Sequence, residues 1–211
     1  ARLGTNGVLD ATFDPGTGAG GTGTFTVFAL AQQLDGKILV GGNFTNVGTD
    51  SNKDDRDNIV RLNKDGSLDT TFIPAQNGSH FNDEVKDIET LANGDIVVVG
   101  KSEKTGSGEA DHVEKLHEDG HVDTTFNSNR PDLGSNESIN AVAVKDNGEV
   151  FIGGDFHDVG DADGDNIAKL EKNGAPDNNW NPPAQGGPVN DIEIGKKGDI
   201  TLAGDGDPND G

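Results

Sequence analysis

Several residue types are absent or scarce in this chain of 211 residues, which contains no Cys, no Met and no Tyr. Without Cys, the chain cannot form disulfide bonds, thiolate metal sites or a Cys nucleophile. Apolar residues make up only 30% of the sequence. No apolar run reaches the roughly 20 residues that a membrane-spanning helix needs. The sequence therefore predicts no direct insertion into a membrane.

Basic residues are also scarce, because 16 Lys and Arg face 38 Asp and Glu, and the formal net charge is -22. A field of this sign repels the phosphates of nucleic acids, so we expect no nucleic-acid partner. Cations are the favoured partners, and Asp is a compact oxygen ligand for Ca2+. Solubility in a salty medium is the alternative explanation for this composition.

Two repeated motifs, both rich in turn glycines, alternate along the chain. The first occurs four times, as RLGTNGVLDATF, RLNKDGSLDTTF, KLHEDGHVDTTF and KLEKNGAPDNNW. The second occurs as LDGKILVGG, ANGDIVVVG, DNGEVFIGG and KKGDITLAG. Each motif carries a residue-Gly pair between β-forming flanks, which is the signature of a hairpin turn. The turn glycines are Gly7, Gly36, Gly66, Gly94, Gly120, Gly148, Gly174 and Gly198. Two hairpins per repeat predict four short antiparallel strands.

Repeating four-stranded units are typical of a β-propeller, in which each unit is one blade of a ring. We therefore predict an all-β fold, a single β-propeller domain over residues 1–211 with four blades of four antiparallel strands. The predicted blades are 26–72, 85–126, 139–180, and 189–204 together with 2–13. Pairing of the N- and C-terminal half-blades closes this ring and removes the open sheet edge. Two alternatives remain open: a larger ring, or a head-to-tail assembly in which half-blades pair with neighbouring copies.

The stretches DGKILVGGNF and NIVRLNKDGSLDTTF resemble the delta-60 repeat, a propeller repeat found mainly in large secreted or surface-attached bacterial proteins. The resemblance extends over essentially the whole chain. It departs in the fourth repeat, which has Pro176, Asn178, Asn179 and Trp180 in place of the usual Leu or Val, Thr and Phe. The resemblance implies an extracellular, cell-surface module for binding or spacing. It implies no defined catalytic residues.

Acidic loops provide the candidate metal ligands. These residues are Asp158, Asp161, Asp163 and Asp165 in DVGDADGDN, Asp54, Asp55 and Asp57 in the corresponding loop of the first complete blade, and Asp205 and Asp207 near the C-terminal end. Alternating carboxylates of this kind can converge on one hard cation, so Ca2+ is the expected cofactor. None of the loops has the ligand spacing of an EF-hand. A solvated acidic turn is the alternative.

Other recurring residues are expected to be structural. Asp10, Asp69, Asp123 and Asp177 each lie three residues after a turn glycine, and we expect them to bond backbone amides of their own hairpins. The aromatic residues in register three positions later are expected to pack between blades. They are Phe13, Phe72, Phe126 and Trp180. Trp180 is also the one candidate for ligand contact, because its neighbours break the repeat pattern.

Together these features predict a noncatalytic extracellular module of a bacterial surface protein, which displays variable loops for adhesion or binding and is stabilised by Ca2+. Its expected partner is a surface glycan or a protein. The first alternative is a structural or assembly subunit that pairs with copies of itself. The second is a carbohydrate-active enzyme using paired carboxylates, although no catalytic pair can be nominated among so many acidic residues.

Overall fold

The structure, a computed structural model, describes residues 1–16, 19–20, 25–44, 46–47, 57–74, 84–100, 113–127, 133, 137–157, 159, 166–183 and 186–205. The elements in chain order are β1 (Ala19–Gly20), β2 (Thr26–Gln32), β3 (Ile38–Asn43), β4 (Asn46–Val47), β5 (Ile59–Leu62), β6 (Val85–Thr90), β7 (Ile96–Gly100), β8 (Val113–Leu116), α1 (Thr124–Asn127), β9 (Ser138–Val144), β10 (Val150–Asp155), β11 (Ile167–Leu170), β12 (Val189–Ile194) and β13 (Ile200–Gly204). Apart from the four-residue α1, every regular element of the described residues is a β-strand, as predicted.

The strands form a series of similar antiparallel sheets. Blade A has the order β2-β3-β5, blade B the order β6-β7-β8, and blade C the order β9-β10-β11. Strands β12 and β13 form a two-stranded sheet, the C-terminal half-blade, and β1 pairs with β4 in a small separate sheet. The inner strands β2, β6, β9 and β12 contact one another in that order, so successive blades lie side by side. This is the arrangement of propeller blades.

Each predicted turn glycine adopts the left-handed backbone conformation that favours glycine. The eight φ angles lie between 77° and 92°. In a representative turn, the Gly36 amide donates to the Gln33 carbonyl at 2.8 Å. A residue with a Cβ atom is strained at such φ values, which explains why a glycine stands at this position in every hairpin.

The predicted fourth strand of each blade is reduced to a single bridge. These isolated bridges are Leu3 with Leu9, Leu62 with Leu68, Leu116 with Val122, and Leu170 with Pro176. In blade A, the Asp69 amide still donates to the Arg61 carbonyl at 2.9 Å, but the Asp69 side chain then accepts from the Thr71 amide at 3.0 Å. The Thr71 amide is thus bonded to the Asp69 side chain and not to the adjacent strand. Because a longer fourth strand would need this amide for pairing, the strand ends here.

The predicted closure of a four-blade ring is not observed among the described residues. Residues 1–13, the N-terminal hairpin, lie against blade A, where the Asp14 amide donates to the Asp65 carbonyl at 2.7 Å. Strand β13 pairs only with β12 within the described part of the chain. At the start of the chain, Leu3 and Leu9 are 63% and 61% exposed. The described blades therefore form an open arc with an incomplete blade at each end.

Candidate functional site

The recurring Asp of each hairpin is part of an acid-base pair that holds the blade together. In blade A, Asp69 accepts from the Thr71 amide at 3.0 Å, its predicted role, and also from Arg61 Nε at 2.8 Å. Lys37 Nζ lies 3.0 Å from the same Asp69 carboxylate. Burial disfavours the charged form of Asp69, but the hydrogen bonds from Thr71, Lys37 and Arg61 outweigh it and hold its pKa well below the usual range.

The same pair recurs along the chain with a basic residue eight positions before the Asp. The other pairs are Arg2 with Asp10, Lys115 with Asp123, and Lys169 with Asp177. Because the pair is present in each repeat, its role is to stabilise the scaffold. Sequence reasoning predicted the Asp and missed its basic partner, although an Arg or Lys stands at the same offset in all four motifs.

Blade B contains a group of side chains that resembles a metal site. Carboxylate and imidazole atoms of Asp95, His117 and Asp123 lie within 4.8 Å of one another. However, Lys115 Nζ lies between the two acids, 2.9 Å from Asp95 and 3.1 Å from Asp123. These acids in turn raise the pKa of Lys115 despite its burial. The Lys115 ammonium therefore occupies the place of a metal ion between the two carboxylates and already balances their charge.

Most of the predicted calcium ligands lie outside the described residues. They are Asp54, Asp55, Asp158, Asp161, Asp163, Asp165 and Asp207. Of the other two, Asp57 precedes β5 in blade A and Asp205 follows β13 at the opposite end of the arc, so the structure does not bring them together. The structure describes the residues that flank the acidic loops and not most of the acidic residues within them. The calcium prediction therefore stays a prediction.

The bases of these loops, formed by such flanking residues, have the same geometry in blades A and C. Asn58, in the left-handed conformation with a φ of 65°, donates its amide to the Phe44 carbonyl at 2.9 Å. Its side-chain oxygen accepts from the Phe44 amide at 3.2 Å, and Phe44 is buried. Asn166 and the buried Phe156 repeat both bonds at 2.9 and 3.2 Å, with a φ of 68°. We name these two pairs the loop clamps, since each fixes where an acidic loop leaves and re-enters its blade.

Trp180 lies at the junction of blade C with the C-terminal half-blade. Its ring meets the Phe151 ring edge-on, with centroids 5.4 Å apart and an interplanar angle of 76°. It packs in one cluster with Ile194 and Ile200 of the half-blade and remains partly exposed. Phe72 and Phe126, at the same position of earlier repeats, are fully buried. Trp180 thus has a packing role, and its ligand contact stays a prediction.

The inner strands carry a group of acidic residues that sequence reasoning did not single out. Asp87 and Glu89 lie on β6, and Asp191 and Glu193 occupy the same pairing positions on β12. We name these four residues the inner acid cluster. The corresponding positions of β2 and β9 hold alanine. The D-x-E pattern of VKDIET and VNDIEI was the available signal, since the matching positions of TVFALAQ and INAVAVK hold alanine.

Electrostatic coupling connects these acids across the arc. Burial raises the pKa of Asp87, and the charge of Asp191 contributes. Burial, followed by the charges of Asp87 and Glu193, raises the pKa of Glu89 to about 7. Glu89 also lines a groove of about 470 Å3 between blades B and C, together with Lys115 and Lys145. Repulsion between carboxylates of β6 and β12, the inner strands on either side of β9, adds to burial as a physical cause of these shifts.

Replacing Glu89 with Gln is therefore expected to stabilise the fold at about pH 8 by ~1 kcal/mol, a value reduced for the partial exposure of the side chain. The folded-state pKa of about 7 lies above the ordinary 4.5, so ionisation disfavours the folded state. The stabilising effect should develop as the pH rises from about 4.5 to about 7 and vanish below that window. Urea unfolding of both proteins across this range measures it.

Glu171→Gln is the matched control, because Glu171 is an exposed turn residue. Its effect should stay within about 0.5 kcal/mol at each pH. An equal response of the two variants to pH would show that general charge reduction, and not the inner acid cluster, accounts for the gain.

Side-by-side antiparallel blades around a common inner face define the class of the protein as a β-propeller. The chain belongs to the family described as the domain of unknown function DUF5122 beta-propeller. The model of this family matches residues 33–72, 91–126 and 145–179, which together make up more than half of the chain. Each matched stretch contains one pair of the two repeated motifs, and the third match stops one residue short of Trp180, the last residue of its pair. No curated protein matches the sequence.

Solved structures confirm the fold. The WD40 β-propeller domain of Doa1 is 16% identical with a TM-score of 0.53, over 84% of this chain and 47% of that chain. A catalytically inactive virginiamycin B lyase from Staphylococcus aureus with quinupristin is 13% identical with a TM-score of 0.50, over 84% and 48%. The extracellular domain of BT4673 from B. thetaiotaomicron is 15% identical with a TM-score of 0.50, over 84% and 20%. The chain therefore spans about half the length of the first two.

These likenesses define the architecture and one context in which it occurs. The neighbours include an extracellular domain of a bacterial protein. Within the described ranges, no helix combines the length and the apolar character needed to cross a membrane.

Proposed function

We propose that the protein is a noncatalytic binding module of the delta-60 type, which presents acidic loops on a rigid propeller scaffold at the bacterial cell surface. The loop clamps are the observation that carries this proposal. Two loops with different sequences leave their blades through the same Phe-Asn geometry, so the scaffold holds the loop bases constant while the loop sequences vary. Rigid bases with variable loops are the usual construction of a binding surface.

The chemistry of the loops favours cations. The formal net charge is -22, and the clamped loops contain Asp54, Asp55, Asp161, Asp163 and Asp165. The recurring acids of the scaffold, in contrast, are already bonded to Arg or Lys, so they do not compete for a ligand. We therefore assign Ca2+ to the loops, where it would order the surface that contacts a glycan or a protein partner.

Ca2+ is expected to raise the melting temperature, because a ligand selective for the folded state stabilises it. With Ca2+ at about 10 to 100 times its Kd, the gain is about 1.4 to 2.7 kcal/mol, or roughly 3 to 10 °C for a domain of this size. Thermal melts of the full chain in Ca2+ and in chelator measure this shift. Equal midpoints in the two conditions would contradict calcium binding.

A loop variant with Asp161→Asn, Asp163→Asn and Asp165→Asn should lose part of the Ca2+ response. The control variant carries Asp35→Asn, Asp65→Asn and Asp146→Asn in the tight turns, which removes the same number of charges. In this control the backbone amides of Lys37 and Ser67 keep their acceptors, because each donates to one side-chain oxygen of Asp35 or Asp65, and Asn also has such an oxygen. A similar loss of response in both variants would assign the effect to net charge.

The partner is tested separately by glycan-array and pull-down binding of the Ca2+-loaded chain, followed by a hydrolysis assay on any glycan retained. Retention without turnover supports a binding module. Turnover would favour the carbohydrate-active enzyme instead.

A further inference from the structure

Two long polar side chains of blade A close its junction with blade B on the side of the tight turns. Gln33 Nε2 donates to the Gly94 carbonyl of blade B at 3.2 Å. Arg61 Nη1 donates to the Glu118 carbonyl of blade B and also to Gln33 Oε1, the latter at 3.3 Å. Gln33 and Arg61 are each only 4% exposed. A carboxamide and a guanidinium therefore fill the space between these two blades.

The next junction, between blades B and C, has shorter residues at the same repeat positions. Leu91 stands at the position of Gln33, and Lys115 stands at the position of Arg61 with the same strand register. The Lys115 ammonium lies 2.9 Å from Asp95 of its own blade. A groove of about 470 Å3 remains between blades B and C, and we name it the B-C groove. It corresponds to the space that the carboxamide and the guanidinium occupy at the first junction.

The walls of the B-C groove keep the acceptors that the first junction uses. Gly148 and Lys172 stand at the repeat positions of the two residues whose carbonyls accept across the first junction, and both line the groove. One acceptor is added, because Glu89 lines the groove at a pairing position where blade A holds Ala31. The groove therefore offers two backbone carbonyls and one carboxylate to an incoming donor.

The three lysines that line the B-C groove do not fill it with positive charge. Lys145 Nζ lies 4.7 Å from the centroid of the Phe151 ring, which packs against the C-terminal half-blade on the other face of blade C. The Lys115 ammonium is held by two carboxylates of its own blade. Lys172 is an exposed turn residue at the rim. Two of the three ammonium groups are thus directed to contacts outside the groove or balanced by acids.

The remaining charges of the B-C groove favour a cation. Glu89 and the exposed Asp146 both line it, and the formal net charge of the chain is -22. Burial and the charges of Asp87 and Glu193 raise the pKa of Glu89 to about 7, so a cation beside this carboxylate would relieve an unfavourable charge. The field of the whole chain likewise attracts cations and repels anions.

We propose that the B-C groove binds the guanidinium group of an arginine side chain presented by a protein partner. The partner's guanidinium takes the place that Arg61 fills at the first junction. Its planar set of donors matches carbonyl and carboxylate acceptors better than an ammonium does. Exposed Asn93 and Asn147 also line the groove, where their amide groups are placed to bond the peptide backbone on either side of the arginine.

This site is separate from the acidic loops. Residues 89–93 and 144–148, which form the tight turns of blades B and C and the strand ends beside them, line the groove, whereas the acidic loops connect the opposite ends of the strands. Both junctions compared are internal to the described arc. The inference is therefore independent of calcium binding by the loops, and a chelator in the assay separates the two.

Titration of the full isotope-labelled chain with the peptide acetyl-Gly-Arg-Gly-amide in chelator tests the proposal by NMR. The peptide is expected to shift the amide signals of Asn93 and Gly148. Peptides with citrulline or lysine in place of arginine should bind at least about tenfold more weakly, because citrulline has no charge and lysine has no planar fork. No shift at up to about 10 mM arginine peptide, or equal binding of the lysine peptide, would overturn the proposal. Equal binding of free L-arginine would overturn the protein partner in favour of a small molecule.

Glu89→Gln is expected to weaken binding of the arginine peptide about tenfold, because the acceptor loses its charge. The matched control is Glu193→Gln, which removes the same charge at the same pairing position of β12, outside the groove. Its Kd should stay within about twofold of that of the natural chain. An unchanged Kd in Glu89→Gln, or an equal loss in the two variants, would overturn the assignment of Glu89 to the site.

Rebuilding the first junction inside the second gives an independent test. Leu91→Gln together with Lys115→Arg introduces the carboxamide and the guanidinium that close the first junction, so this variant is expected to remain folded and to lose peptide binding. The control variant, Leu34→Gln with Lys64→Arg, makes the same exchanges at exposed turn residues of blade A and should bind as the natural chain does. Thermal melts check the fold of both variants. Full binding by the folded Leu91→Gln, Lys115→Arg variant would overturn the proposal.

Discussion

Alanine in place of Gly154 is expected to lower the free energy of unfolding by about 3 kcal/mol or more. Gly154 follows a β-bulge, where the register between β9 and β10 shifts. A Cβ at this position would overlap the Ser138 carbonyl oxygen and approach the Ile139 Cα. Both obstacles are backbone atoms of the neighbouring strand, so no side-chain rotation can relieve the overlap and the sheet itself would have to open.

The same constraint applies in the other repeats. Gly42, Gly100 and Gly204 hold this position, and a Cβ on each would meet the carbonyl of Thr26, Glu84 and Pro188, respectively. The bulge therefore explains the last glycine of ILVGG, IVVVG, VFIGG and ITLAG, which turn chemistry does not require.

Gly4→Ala is the control for this prediction. The Cβ of an alanine at Gly4 would lie 3.1 Å from Oδ1 of Asn6, an exposed side chain that can shift, and should cost no more than about 0.5 kcal/mol. Chemical denaturation of the two variants measures both values. If Gly154→Ala lost less than about 1 kcal/mol, the strands would be further apart at the bulge than the structure places them.

The parts of the fold that follow from local chemistry could be predicted from the sequence. The turn glycines, the paired hairpins and the amide contact of Asp69 depend only on neighbouring residues, and the structure confirms them. The aromatic packing of Phe72 and Phe126 was also predictable, because an aromatic residue repeated in register points to the same environment in each blade.

Features that depend on the relation between strands were harder to predict. The Arg61 partner of Asp69 becomes visible only when the hairpin brings residues eight positions apart together. The inner acid cluster was missed because each inner strand contains a bulge, which interrupts the alternation of faces that assigns Asp87 and Glu89 to one side. Ring closure depends on the curvature summed over all blades, and no local motif encodes it.

Replacing Arg61 with Ala is expected to lower the free energy of unfolding by about 3 kcal/mol, because it removes one partner of a buried ion pair, although Lys37 stays beside the Asp69 carboxylate. The Arg61 side chain is only 4% exposed and Asp69 only 6%. Arg61 also bonds Gln33 Oε1 at 3.3 Å and the Glu118 carbonyl, and its guanidinium lies 4.6 Å from the centroid of the Phe72 ring. The variant therefore loses the internal pair of blade A together with its link to blade B.

Arg2→Ala is the matched control, since Arg2 makes the same kinds of contact at the open end of the arc. Its Nη2 lies 2.8 Å from Asp10, and its guanidinium lies 4.8 Å from the centroid of the Phe13 ring. The Arg2 side chain is 36% exposed, so its loss should cost no more than about 1 kcal/mol. Equal losses in the two variants would show that burial does not govern the strength of the pair.

The pH dependence adds a second test of the Arg61 pair. The pKa of Asp69 is held below its ordinary value of 3.8, so the stability that this carboxylate contributes is present above that value and is lost as the pH falls below it. The difference between Arg61→Ala and the natural chain should therefore shrink on acidification below about pH 4. Arg61→Lys should recover part of the loss, because Lys115 and Lys169 serve the same position in blades B and C. A full loss in Arg61→Lys would instead assign the effect to the contacts with Gln33 and Glu118 that only the guanidinium makes.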